Sequence, residues 1–164
     1  MTDPLVDVLL PSLAILVSAS IAVALAVLER RAARRARDQE RVDRICEDIL
    51  EGLSFFVSAN PLAEEMSSEL RRLRSRIALL QTLASTGHRL VGLWLAREVE
   101  TALPRYSEGM LALQAYVDPQ PSDILRAFAP AHTRFHDSMM RLSSWMRGDI
   151  ADDVLSSRIQ DLNE

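Results

Sequence analysis

The sequence predicts an all-α chain: a single N-terminal transmembrane helix continuing into an antiparallel cytoplasmic four-helix bundle, with a short fifth helix at the C-terminus. Three observations carry this. Val8 to Leu28 form an uncharged run of 21 positions, and six arginines follow at once in ERRAARRARDQER. After Arg41, apolar residues recur at three- and four-residue steps almost to the end, which is the helical period. No window alternates with period two, so strands are not expected.

At about 1.5 Å per residue the uncharged run is roughly 31 Å long, close to the hydrocarbon thickness of a bilayer. Asp3-Pro4 suits an N-cap and first helical position, and Pro11 should kink the helix. Nothing basic precedes the run and it is too long for a cleavable signal, so an anchor is expected. The arginines hold the remainder of the chain on the cytoplasmic side, which leaves the N-terminus outside. Three segments result: 1–28, the outer tip and anchor; 29–44, a basic juxtamembrane helix; and 45–164, a cytoplasmic bundle.

The first bundle stripe is Val42, Ile45, Cys46, Ile49, Leu50, Leu53, Phe56 and Val57. No breaker separates it from the anchor, so one helix should run to about Ser58. Asn60-Pro61 reads as N-cap and first residue of the second helix, with Glu64 and Glu65 suited to its dipole. A turn near Asn60 would bring Arg71, Arg72 and Arg74 level with Glu47 and Asp48. The second stripe is Leu62, Met66, Leu70, Leu73, Ile77, Leu80 and Ala84. Ser85-Thr86-Gly87-His88 offers a stop and restart.

The third stripe, Val91, Leu95, Val99, Ala102, Tyr106, Met110, Leu113 and Val117, passes through Pro104. A kinked helix is expected there; a break at Pro104 is the alternative. Asp118-Pro-Gln-Pro121 is the clearest loop. The fourth stripe is Leu125, Phe128, His132, Phe135, Met139, Leu142 and Met146, ended by Gly148, and Asp149 can cap a fifth helix carrying Val154, Leu155, Ile159 and Leu162. Four such helices with short connections make an antiparallel bundle the default.

All 19 basic residues are arginine, a bias that fits a GC-rich bacterial genome, and the plasma (inner) membrane is the expected location. Arginine keeps its charge and forks onto phosphate, so Arg30, Arg31, Arg34, Arg35 and Arg37 suit anionic lipid headgroups. A net charge of −4 argues against nucleic acid as partner. Ala14, Ser18, Ala22 and Ala26 place a small residue at every fourth anchor position, a pattern that lets helices approach closely and permits a homodimer. The acidic residues of 149–164 could return to the arginine belt.

The lone Cys46 sits in a core stripe without a histidine nearby, and reads as a small buried hydrophobe rather than a nucleophile. His132 and His136, at i and i+4, share a helix face as a metal pair would. Further ligands are not evident, and His132 falls in the apolar stripe, so a core histidine bonded to a neighbour is the plainer reading. Phosphate-loop, dinucleotide, hydrolase and thioredoxin motifs are absent. No cofactor is expected. The sequence thus points to a non-enzymatic, membrane-tethered helical module that binds a protein partner or its own copy. The alternatives are an accessory subunit of a larger membrane complex and a metal- or haem-binding bundle using His132 and His136.

Overall fold

Four helices follow one another: α1 (Pro4–Ser58), α2 (Met66–Leu83), α3 (Thr86–Leu113) and α4 (Pro121–Met146). The computed structural model describes the backbone of residues 4–62, 65–83, 86–116, 118–151, 154–155, 157 and 159; side chains are described from Val17 onward, excluding those of 83 and 86–88. Among the described residues there is no strand. The chain divides into two units, Met1–Arg41 and Val42–Glu164.

In the first unit every described side chain, from Val17 to Arg41, is exposed. Among the described residues no helix is long and apolar enough to cross a membrane. Of the uncharged run, the described side chains are Val17 to Leu28, about 12 residues or roughly 18 Å of helix, shorter than a bilayer core. A membrane crossing therefore also needs the residues before Val17, whose side chains lie outside the described ones, as does that of Ala14.

The second unit is an all-helical bundle. The end of α1 contributes Val42, Ile45, Cys46, Ile49, Leu53 and Phe56 to its core; α2 contributes Leu73, Ile77 and Leu80; α3 contributes Val91, Trp94, Leu95, Val99 and Ala102; α4 contributes Phe128, Ala131, Phe135 and Leu142. Most of these are the expected stripe positions, as for helices that bury one face each, while Trp94 and Ala131 are fully buried residues that the stripes left out. Leu62, Leu125 and Met110 break the rule: all three are at the end of the bundle and remain exposed, at 48%, 63% and 41%. Leu155, helical and fully buried, brings the short C-terminal segment into the same core, with Ile150 and Ile159 packed against it.

The connections show why the helices stop where they do. Helix α2 begins at Met66, not at Pro61 as the cap pattern suggests. The Asn60 carboxamide oxygen accepts from the Leu62 N–H at 3.1 Å, closing a tight local turn instead of capping a helix. Glu65 precedes the first turn, and Glu69 is the acidic residue within it. Helix α2 ends at Leu83 and α3 starts at Thr86 and runs unbroken through Pro104, so the alternative of a break at Pro104 is not taken; Ala84 and Ser85 lie outside the described residues. Gln120 caps α4, its backbone N–H donating to the Asp123 carboxylate at 3.1 Å, with Pro121 as the first helical residue. At the other end Gly148 takes φ +79°, a left-handed conformation that glycine tolerates best. This lets the Gly148 and Asp149 N–H groups donate to the carbonyls of Trp145 and Ser144, both at 2.9 Å.

Neighbours run antiparallel. Asp48 meets Arg76 and Gly52 faces Leu73 across α1 and α2. Across α2 and α3, Arg74 pairs with Glu100 at 2.7 Å and the Gln81 side-chain amide donates to the Gly92 carbonyl at 2.9 Å. Glu98 meets Arg134 and Tyr106 meets His132 across α3 and α4. Arg71, Arg72 and Arg74 do not take Glu47 and Asp48 as partners in this register. Arg76 does, its Nη1 donating to the Asp48 carbonyl at 2.8 Å with its Nε 3.8 Å from the carboxylate. The α1–α2 turn is centred about two residues later than Asn60, because α2 starts late. Arg72 instead pairs with Glu69 one turn away at 2.7 Å.

Candidate functional site

The α1–α2 and α3–α4 connections lie at the same end of the bundle, where the aromatic residues collect. Phe56 stacks on Phe135 with ring centroids 4.9 Å apart. Tyr106 sits against Phe56, Phe128, His132 and Phe135 at 5.3 to 6.2 Å. The Tyr106 hydroxyl donates to the Phe56 carbonyl at 2.7 Å. That carbonyl belongs to the last turn of α1, where helices leave acceptors without an internal donor, so Tyr106 completes α1 from another helix. Burial pushes the Tyr106 phenol above its usual range.

His132 enters the cluster half-buried, stacked beside Phe128 (6.2 Å, 26°) and edge-on to Tyr106 (5.9 Å, 64°). Its Nε2 is buried without a hydrogen-bond partner, so the neighbour bond expected of a core histidine is missing at that atom. Burial lowers the imidazole below its ordinary value and favours the neutral ring. His136, one turn on, is exposed, with its Nδ1 3.9 Å from the adjacent Asp137 carboxylate. The two histidines share a face but occupy unlike surroundings. Among the described residues no three His, Cys, Asp or Glu side chains come together as a metal site would require.

Two cavities flank the cluster. One, of about 330 Å³, is mainly apolar and lies among Phe56, Met66, Leu70, Leu103, Tyr106 and Met110. The other, of about 370 Å³, lies among Val57, Ala59, Asn60, Ile124, Leu125 and His132.

Deeper in the bundle is a charged pair that periodicity did not single out. Glu98 is only 4% exposed, with its Oε2 2.6 Å from Arg134 Nε, while its Oε1 accepts from Trp94 Nε1 at 3.1 Å. The signal was available: Glu98 follows Trp94 by four residues, and Arg134 directly precedes the core residue Phe135. A charge on an apolar stripe demands a partner when buried.

Cys46 is fully buried, and burial, then Asp43 and Glu47, push its thiol up to about 12. In the first unit, Arg30, Arg31, Arg34, Arg35 and Arg37 are exposed, and no ion pair engages them among the described residues. Ser18, Ala22 and Ala26 are exposed as well. Asp149 binds Arg147 at 2.9 Å; Asp152, Asp153, Asp161 and Glu164 lie outside the described residues. No protein-family model matches the chain, and no curated protein or solved structure is significantly similar to it.

Proposed function

We propose that the protein is a membrane-tethered helical interaction module. Val8 to Leu28 lie in the bilayer with the N-terminus outside, and the bundle works at the cytoplasmic face on a protein partner or a second copy. The observation that carries this is the first unit's surface. Val17, Ile21, Val23, Leu25, Val27 and Leu28 are all 42% or more exposed and cover rather more than half of the helix circumference, with Ser18, Ala19, Ala22 and Ala26 on the remainder. A helix that is apolar all round needs an apolar medium, not a single groove. Five arginines without ion-pair partners among the described residues come within the next nine positions, where headgroup phosphates would meet them. The bundle supports the interaction role: it has a complete core and still exposes Leu93, Leu111, Leu125 and Met140.

Two measurements test this reading. Full-length protein should stay with membranes through an alkaline carbonate wash, and protease added to intact cells should spare the bundle. Release by carbonate, or digestion from outside, would overturn it. A second reading, an accessory subunit whose anchor packs on other spans, is favoured by the exposed row of Ser18, Ala22 and Ala26. Replacing Val8–Leu28 by an unrelated span of equal length separates the two: a simple tether keeps its partner, whereas a packed subunit loses it.

A further inference from the structure

Two prolines interrupt the hydrogen-bonded ladder of the bundle at one level. Pro104 lies inside α3 and Pro130 inside α4, both exposed. Neither has an N–H to give the carbonyl four residues earlier, so Glu100 and Arg126 lose the donor that a continuous helix supplies. Arg105 Nη1 donates to the Pro130 carbonyl at 3.4 Å, which sets the two missing rungs side by side. On one side of this line the buried Glu98–Arg134 pair, at 2.6 Å, joins the helices into a fixed base. On the other, 105–116 and 118–129 lie in the two arms of a tip. The arms are pressed together: a Cβ on Gly109 would stand 2.8 Å from the Ala127 carbonyl and from the Phe128 ring.

The tip is tied thinly to the rest of the bundle. Its Tyr106 hydroxyl donates to the Phe56 carbonyl at 2.7 Å, and the Tyr106 ring lies against Phe56 and Phe135. On either side of that tie runs an open groove. Phe56, Met66 and Leu70 line one wall of the first, with Tyr106 and Met110 on the other; Val57, Ala59 and Asn60 border the second opposite Ile124 and Leu125. Met110, Leu111, Tyr116 and Leu125 are all 41% or more exposed, so much of the tip's apolar surface adds nothing to the tie.

We propose that the tip is a hinged flap: it pivots as one body about Pro104 and Pro130, the Tyr106–Phe56 hydrogen bond latches it shut, and opening bares the Phe56–Phe135 stack. Helices bend most readily at proline, where a backbone bond is missing, and a hinge needs only a few such positions. The closely packed arms and the fixed base confine the bend to that line. Shut, Phe56 and Phe135 are 2% exposed or less; open, they give the bundle an aromatic surface that it otherwise hides.

The test uses the full chain in lipid nanodiscs, labelled with ¹³C at the methionine methyls. Met66 and Met110 line the groove beside the Phe56 and Tyr106 rings, whose ring currents make the methyl shifts sensitive to the position of the tip. Met139 and Met146 pack against the core on the base side and serve as controls. Relaxation dispersion should show microsecond-to-millisecond exchange at Met66 and Met110 and none at Met139 or Met146. Tyr106→Phe should raise the open population about tenfold, the scale of one buried hydrogen bond. Pro104→Ala combined with Pro130→Ala should restore both rungs and flatten the profile at Met110. Flat profiles at Met110 in wild type and Tyr106→Phe alike overturn the flap. So does equal exchange at the two controls, which marks opening of the whole bundle, or unchanged exchange at Met110 in the double proline variant. Membrane attachment plays no part in these readouts, so they stand apart from the tests of the tether.

Discussion

Arg134→Met should be among the most damaging single substitutions in the bundle. The change keeps an unbranched aliphatic stem at this position and removes the guanidinium 2.6 Å from Glu98. Glu98, 4% exposed, is then a carboxylate without its counter-ion. Breaking a buried pair from one side costs about 3–5 kcal/mol. Two features place this case near about 3 kcal/mol: the Arg134 side chain is 15% exposed, and Trp94 still donates to the stranded carboxylate. Glu98→Gln should cost less, about 1–2 kcal/mol, because the amide oxygen still accepts from Trp94 and the guanidinium can swing toward water. The double variant, with neither charge, should be more stable than Arg134→Met alone, a coupling of about 2 kcal/mol or more. Guanidinium unfolding of the full chain in mild detergent, followed by far-ultraviolet circular dichroism and tryptophan emission, measures all three. The reasoning fails if Arg134→Met costs under about 1 kcal/mol, or if the double variant simply sums the singles.

Three further outcomes are expected. Tyr106→Phe leaves the Phe56 carbonyl without its donor in a buried position, and should cost about 1–2 kcal/mol in the same unfolding assay with the fold retained. Cys46, buried and with its thiol pushed up to about 12, should react with a disulfide reagent at pH 8 only as fast as the bundle opens; prompt labelling in native buffer would contradict its placement. The His132 imidazole is held below 6.5 in the fold. The unfolded chain therefore takes up the proton first, and stability falls as pH drops below about 6.5 until the folded value is passed, by at most about 1.4 kcal/mol per pH unit. Above that range it contributes no slope, and the difference between wild type and H132F across pH 5 to 7 isolates it.

The stripes of the bundle were legible because burial of one helical face imposes a period that a single chain displays by itself: Leu95, Val99 and Ala102, or Phe128, Phe135 and Leu142, need no partner to be recognised. The α2 start was not, because Asn60-Pro61 satisfies the chemistry of a cap and of a tight turn alike. Which one forms depends on where the Asn60 oxygen finds its donor. That displacement carried into the α1–α2 register and put Arg76, rather than Arg71, Arg72 or Arg74, opposite Asp48. Glu98 and Arg134 escaped for a different reason: each reads as a surface charge until the other is seen to arrive from a separate helix 36 positions along. The aromatic end was half visible, since the rings lie on the predicted stripes, but the missing partner at His132 Nε2 is a three-dimensional fact.

Phe56 reaches two rings that come much later in the chain, Tyr106 and Phe135. At ribosomal rates of about 5–20 residues per second, the 79 positions separating Phe56 from Phe135 take roughly 4 to 16 s to emerge. During that interval α2 and α3 emerge in turn, but until α4 follows the apolar face from Val42 to Phe56 lacks part of its cover and Phe56 lacks the ring it stacks on. That interval is the stage of synthesis at which the first apolar face is least covered, and so the one at which this protein is most prone to aggregate.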